Sequence, residues 1–199
     1  MNRTTALAVA LALSAGAAHA HAFRVGADAY ALFVEGMAVP WSDPWILFGL
    51  LPFGVLAGIW RMDGMPLVWP ALIGGLIVGF ATAPLMPEGL EIVPLAIGLI
   101  AAALGALARD YAPEPLLALM ALGAVSAGWV ALAGHGYGEL PLTVYAGIFL
   151  GAQFAVVLPA ALVVATRRAL TAGWLMIGWR VAASWLGAIA MILGAFRLA

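Results

Sequence analysis

The chain has 199 residues, 66% of them hydrophobic and 9% charged, with a formal net charge of −1 and a mean hydropathy of +1.12. This composition excludes a soluble globular domain and describes a polytopic all-α membrane protein, because helices satisfy their own backbone groups in lipid. Eight Arg without a basic stripe, no Lys and no Cys exclude nucleic-acid binding, disulfides, thiolate metal sites and iron–sulfur clusters.

Residues 1–20 read as an export signal. Arg3 forms a short basic region, Thr5 to Ala18 a small-residue apolar run, and Ala18-His19-Ala20 fits the cleavage rule, so that His21 becomes the first mature residue. The competing reading is an uncleaved first transmembrane helix, for which the run is Ala-rich and short. Residues 21–43 follow as a short extracytoplasmic segment, and residues 44–199 as a compact bundle of about six transmembrane helices. Breaks at Pro, Gly and charged residues place these helices at roughly Pro44 to Trp60, Pro66 to Met86, Leu90 to Ala108, Pro115 to Ala133, Pro141 to Thr166 and Thr171 to Leu198. The connections are short, which predicts that neighbouring helices pack antiparallel.

The arginines set an orientation. With residue 21 outside, Arg61, Arg109, Arg167 and Arg168 all fall on cytoplasmic connections, and the loops around Glu88 and His135 carry no basic residue. The expected location is therefore a bacterial inner membrane with the mature N-terminus outside. Asp28, Glu35, Asp43, Glu88, Glu91 and Glu139 gather on the outer side, opposed by Arg24 and Arg197. Such a mouth attracts cations through its summed potential; equally, short polar loops carry acids simply for solvation.

The candidate metal ligands are Asp43, Glu91, His135, Glu139 and His21. Asp43 precedes Pro44, where a carboxylate either caps a helix N-terminus or serves a cation. Glu91 is followed by Ile92, Val93 and Pro94 and points into the bundle, where an ionisable group is costly unless it serves a cation or proton. In His135-Gly136-Tyr137-Gly138-Glu139, imidazole and carboxylate are ligands of borderline divalent metals, and the glycines let the backbone bring both toward one point; a turn with an incidental His is the other reading. A mature His21 offers both amine and imidazole. Arg180, inside the last span, either snorkels, pairs with an acid or lies in a wet cavity. Gln153 either bonds between helices or lines a pathway. Gly54, Gly58, Gly74, Gly75, Gly79, Gly123 and Gly128 read as small-residue helix contacts, and Trp41, Trp45, Trp60 and Trp69 as interfacial anchors. No catalytic set, phosphate loop or haem-ligand pair is visible, so no enzyme and no permanently bound cofactor is expected.

The order of these features resembles the HupE/UreJ hydrogenase and urease accessory proteins. The resemblance rests on the Ala-His-Ala export signal, six Gly/Ala/Leu-rich helices, Asp43 at the first helix, Gly89-Leu90-Glu91 before the third, and His135 to Pro141 before the fifth. It implies a nickel or cobalt permease, with histidines and acids as ligands. The family's His-Pro-x-x-Gly-x-Asp-His pattern stands here as Met37-Ala38-Val39-Pro40-Trp41-Ser42-Asp43-Pro44, so Asp43 matches while Met37 and Pro44 replace both histidines. The later loop keeps one imidazole, His135, with Glu139 and Pro141, and the fifth helix carries Gln153 where the family often has a further His.

Two functions follow as expectations. The first is permeation of a divalent cation through an oxygen-rich site, where fewer imidazoles favour a harder or more weakly held ion. The second is a non-transporting accessory or structural subunit, with a membrane-protein partner or a second copy held through its apolar surface. A scaffold tolerates Asp43→Asn and Glu91→Gln; a permease does not.

Overall fold

The computed structural model describes residues 28–87, 89–170 and 172–198. Residues 1–20, which read as an export signal, and His21 and Glu88 lie outside the described residues. Among the described residues seven α-helices follow one another: α1 (Ala29–Ser42), α2 (Pro44–Trp60), α3 (Gly64–Thr82, continued by a 3-10 turn Ala83–Leu85), α4 (Ile92–Leu107), α5 (Pro113–Ala131), α6 (Leu142–Ala169) and α7 (Trp174–Leu198). No strand occurs among the described residues.

The six expected helices are all present within a few residues of their predicted bounds. Length and apolarity qualify fewer of them as membrane spans. Four are long and apolar enough to cross a membrane by themselves, namely α3 with its 3-10 turn, α5, α6 and α7. A fifth span arises if α1 and α2, bent by 76° at Asp43, act as one. The apolar α4 has 16 residues, about 24 Å, which is short of a hydrocarbon core of about 30 Å.

Residues 29–42 depart from the predicted layout. They form α1, which Asp28 caps by accepting from the Ala31 amide at 2.7 Å, and α1 packs along α6 instead of leading up to the bundle. Gly36, Val39 and Pro40 are buried in that contact. The reason lies in Gly36, Gly147 and Gly151: a Cβ at any of them would run into the backbone of the opposing helix. The predicted boundary at residue 44 thus falls at a bend between two packed helices.

The core centres on α2, which packs against every other helix and buries Ile46, Leu50 and Phe53 almost completely. Sequence neighbours are not the main packing partners, contrary to the expectation from short loops. The close pairs are α2 with α4 and α3 with α5. At the α2–α4 contact a Cβ on Gly98 would lie 2.6 Å from the Gly49 carbonyl oxygen, so the two backbones touch. Along α3 and α5, Gly75 faces Ala121 and Gly79 faces Val125 and Gly128; both numbers rise together, so these helices run parallel. Short loops fix the alternation of direction, and the small-residue faces then choose which helices meet. The predicted glycine contacts hold at Gly54, Gly58, Gly75, Gly79, Gly123 and Gly128, whereas Gly74 faces open space.

Candidate functional site: an acidic end and a broken helix

The alternation of helices separates two ends of the bundle. One end carries Arg61, Arg109, Arg167 and Arg168, at or just beyond the C-termini of α2, α4 and α6. Arg167 donates to the carbonyls of Gly58 and Ile59 at 2.5 and 3.2 Å, and Arg180 donates through Nε to Ala106 O at 2.7 Å. Both guanidiniums therefore satisfy last-turn carbonyls and complement the negative ends of α2 and α4. Of the alternatives open for Arg180, the observed partner is a helix C-terminus. Trp60 at this end is buried, donating to Tyr111 O at 3.0 Å beneath the Arg61 guanidinium; it is a core residue, not an interfacial anchor.

The opposite end holds Glu91, His135 and Glu139. Loop residues 86, 87 and 89–91 meet the end of α5 around a cleft lined by Ala83, Glu91, Trp129, Val130, Ala133 and Gly134 among others; its free volume of about 20 Å³ admits a single water molecule. Trp129 ties α5 to α3 by donating to Thr82 Oγ1 at 2.7 Å. Glu91 is 9% exposed, as its sequence context predicts, and its Oε2 lies 3.3 Å from Arg197 Nη2 in the last turn of α7.

The His135–Glu139 loop is held by side-chain hydrogen bonds. The Tyr137 hydroxyl pins it to Ala81 O at 2.8 Å. The ring Nδ1 of His135 lies 3.2 Å from Ala133 O, while Glu139 turns back to accept from the Gly136 amide at 2.8 Å. Gly134 and Gly138 take positive φ values of 79° and 76°, which glycine adopts without strain. Among the described residues, no three His, Asp or Glu side chains are grouped so as to hold a metal ion.

Asp43 occupies the break between α1 and α2. Its Oδ1 accepts from the amides of Trp45 at 2.8 Å and Ile46 at 3.3 Å, and its own amide closes onto Val39 O at 3.1 Å. The cap reading of Asp43 is therefore realised, with a consequence for α1. In a continuous helix the carbonyls of Pro40, Trp41 and Ser42 would receive the amides of residues 44, 45 and 46. Pro44 has no N–H, and the other two amides are turned to Asp43. Three carbonyls at the negative end of α1 thus lose their in-line donors beside a half-buried carboxylate, an electronegative break of the kind that suits cations.

Sequence reasoning missed several partners. Gln153, 6% exposed, accepts from Trp69 Nε1 at 2.5 Å, bonding α6 to α3; Nε2 of the same amide has no partner among the described residues. Ser126 donates to Gly123 O at 2.9 Å. Only depth along the helices signals such pairs in a sequence. Comparison of the chain with protein-family models, curated proteins and solved structures finds no match.

Proposed function

We propose that the chain is a divalent cation permease of a bacterial inner membrane, with six spans and the acidic end outside, as its resemblance to the HupE/UreJ proteins implies. The observation that carries this reading is the break at Asp43, where three carbonyls of α1 lose their in-line donors next to a carboxylate in an apolar chain. Broken helices at membrane depth are tolerated where they line a cavity or hold an ion. Asp43 and Glu91 are the acids on the proposed route, with His135, Glu139 and a mature His21 as outer ligands. Nickel or cobalt is the cargo that the resemblance suggests, and the oxygen-rich site favours weaker holding and faster release. A membrane potential supplies about 4.6 kcal/mol per 100 mV to a divalent cation, so uptake needs no nucleotide.

A second reading, an accessory subunit without transport, is favoured by one observation: Asp43, Glu91 and Glu139 each already make a hydrogen bond or ion pair within the chain. Uptake of labelled nickel, with cobalt, zinc and manganese as competitors, separates the two. Cells expressing the chain accumulate the ion, and Asp43→Asn or Glu91→Gln at matched membrane abundance abolishes accumulation. Uptake no higher than in empty cells refutes permeation of these metals and favours the subunit.

A further inference from the structure

Helices α4 and α7 form an antiparallel pair whose register can be read from end to end. Arg180 bonds Ala106 O, Ala183 packs at Gly105, Gly187 at Ala102, Gly194 at Ile92, and Arg197 meets Glu91. Two arginines 17 positions apart on α7, about 25 Å along a helix, thus hold the short α4 at its two ends. The two contacts differ in kind. Arg180 neutralises carbonyls, a role found at many helix ends, whereas Arg197 places a charged group on a buried carboxylate in the wall of the acidic-end cleft.

The Glu91 side chain is 12% exposed and that of Arg197 40%, so the carboxylate lies on the inner side of the pair and the guanidinium on the outer. One nitrogen and one oxygen meet, at 3.3 Å, without the two-point fork that makes an arginine–carboxylate pair hard to open. Helix α7 is also the least buried of the four long spans, with 22% of its apolar window inside the protein. Glu91 lines the cleft, so an ion arriving there meets a carboxylate that already carries the guanidinium, and a charge that shares a buried carboxylate with an incoming cation competes with it.

The geometry points to Arg197 as a tethered stand-in cation that closes the Glu91 site until a divalent cation displaces it. This deepens the permease reading and rests on it for the identity of the displacing ion. When the cation binds, Arg197 swings into the solvated end of α7; when the cation leaves, the guanidinium returns to the carboxylate. Arg197 is thereby a specificity-determining residue, since a singly charged ion at the same oxygen gains no Coulombic advantage over the arginine, and a divalent ion does.

The test labels Glu91 with a hydrophobic carbodiimide in the purified full chain in lipid nanodiscs and reads the adduct by peptide mass spectrometry, for the parent, Arg197→Gln and Arg197→Lys. The expected result is labelling about fivefold higher in Arg197→Gln than in the parent, as for loss of one partly screened charge pair. Arg197→Lys stays near the parent, and nickel or manganese protects Glu91 in Arg197→Gln at lower concentration than in the parent, while sodium protects neither. Equal labelling in all three forms overturns the proposal, as does labelling that rises without protection by any divalent ion, which makes the pair a structural staple. If Arg197→Gln does not yield folded protein, dose-dependent change of Glu91 labelling by nickel or manganese in the parent decides the matter, with no change counting against it. Cellular uptake measured alongside separates the two readings: divalent protection of Glu91 without uptake in any form refutes permeation and keeps the displaceable site.

Discussion

Gly74 and Gly75 are adjacent on α3, and the structure assigns them opposite sensitivities to one added methyl group. A Cβ on Gly74 meets nothing within 4 Å, whereas a Cβ on Gly75 would lie 2.5 Å from Ala121 O and 2.7 Å from the Ala124 Cβ of α5. The second position is short of ordinary contact by about 0.9 Å, and the obstructing atoms are backbone or a side chain with no rotamer, so relief requires α3 and α5 to separate. Overpacking of this size costs about 1–3 kcal/mol, equivalent to a Tm loss of roughly 2–4 °C per kcal/mol for a domain of this length. Gly74→Ala changes Tm little, because a membrane helix keeps much of its helicity when its tertiary contacts are lost and the propensity gain is small. Thermal unfolding of both variants in one detergent, followed by tryptophan fluorescence, reads the difference. Equal shifts for Gly74→Ala and Gly75→Ala would refute the parallel α3–α5 contact, and a larger loss at Gly74 would reverse the face that α3 presents.

Asp43 separates its two roles by substitution. Asp43→Ala loses the acceptor for Trp45 and Ile46 and costs about 1–2 kcal/mol in thermal unfolding, while Asp43→Asn keeps an oxygen at the cap and stays within about 0.5 kcal/mol of the parent; equal losses would show that the cap is not what holds the bend. In the Trp69–Gln153 pair, Trp69→Phe leaves a buried carbonyl without its donor and destabilises by about 1–2 kcal/mol, whereas Gln153→Leu removes the carbonyl together with an amide that has no partner among the described residues and costs less. The reverse order in the same melting assay would mean that the amide of Gln153 has an acceptor in the membrane.

The sequence alone fixed the class of the protein, the positions of six helices and the separation of charge between its ends. Each is a local or one-dimensional property: apolar run length, Pro and Gly punctuation, and the alternation that places Arg61, Arg109 and Arg167 at one end and Glu91 and Glu139 at the other. The inward placement of Glu91 was legible for the same reason, since Ile92, Val93 and Pro94 follow it directly, and so was the cap at Asp43. Helix α1 was not, because Pro40, Asp43 and Pro44 read as breaks, and only the meeting of Gly36 with Gly147 and Gly151, more than 100 positions away, makes residues 29–42 a packed helix. Which helices touch was likewise undecided by loop length, because α2 with α4 and α3 with α5 pair through glycine faces whose match is a property of two surfaces together. The partners of Glu91, Gln153 and Arg180 belong to the same class: 106, 84 and 74 residues separate them from Arg197, Trp69 and Ala106. Polar groups in an apolar chain must find one another across the bundle, and only the tertiary structure decides which do, because depth along each helix and rotation about its axis are set by packing against the rest.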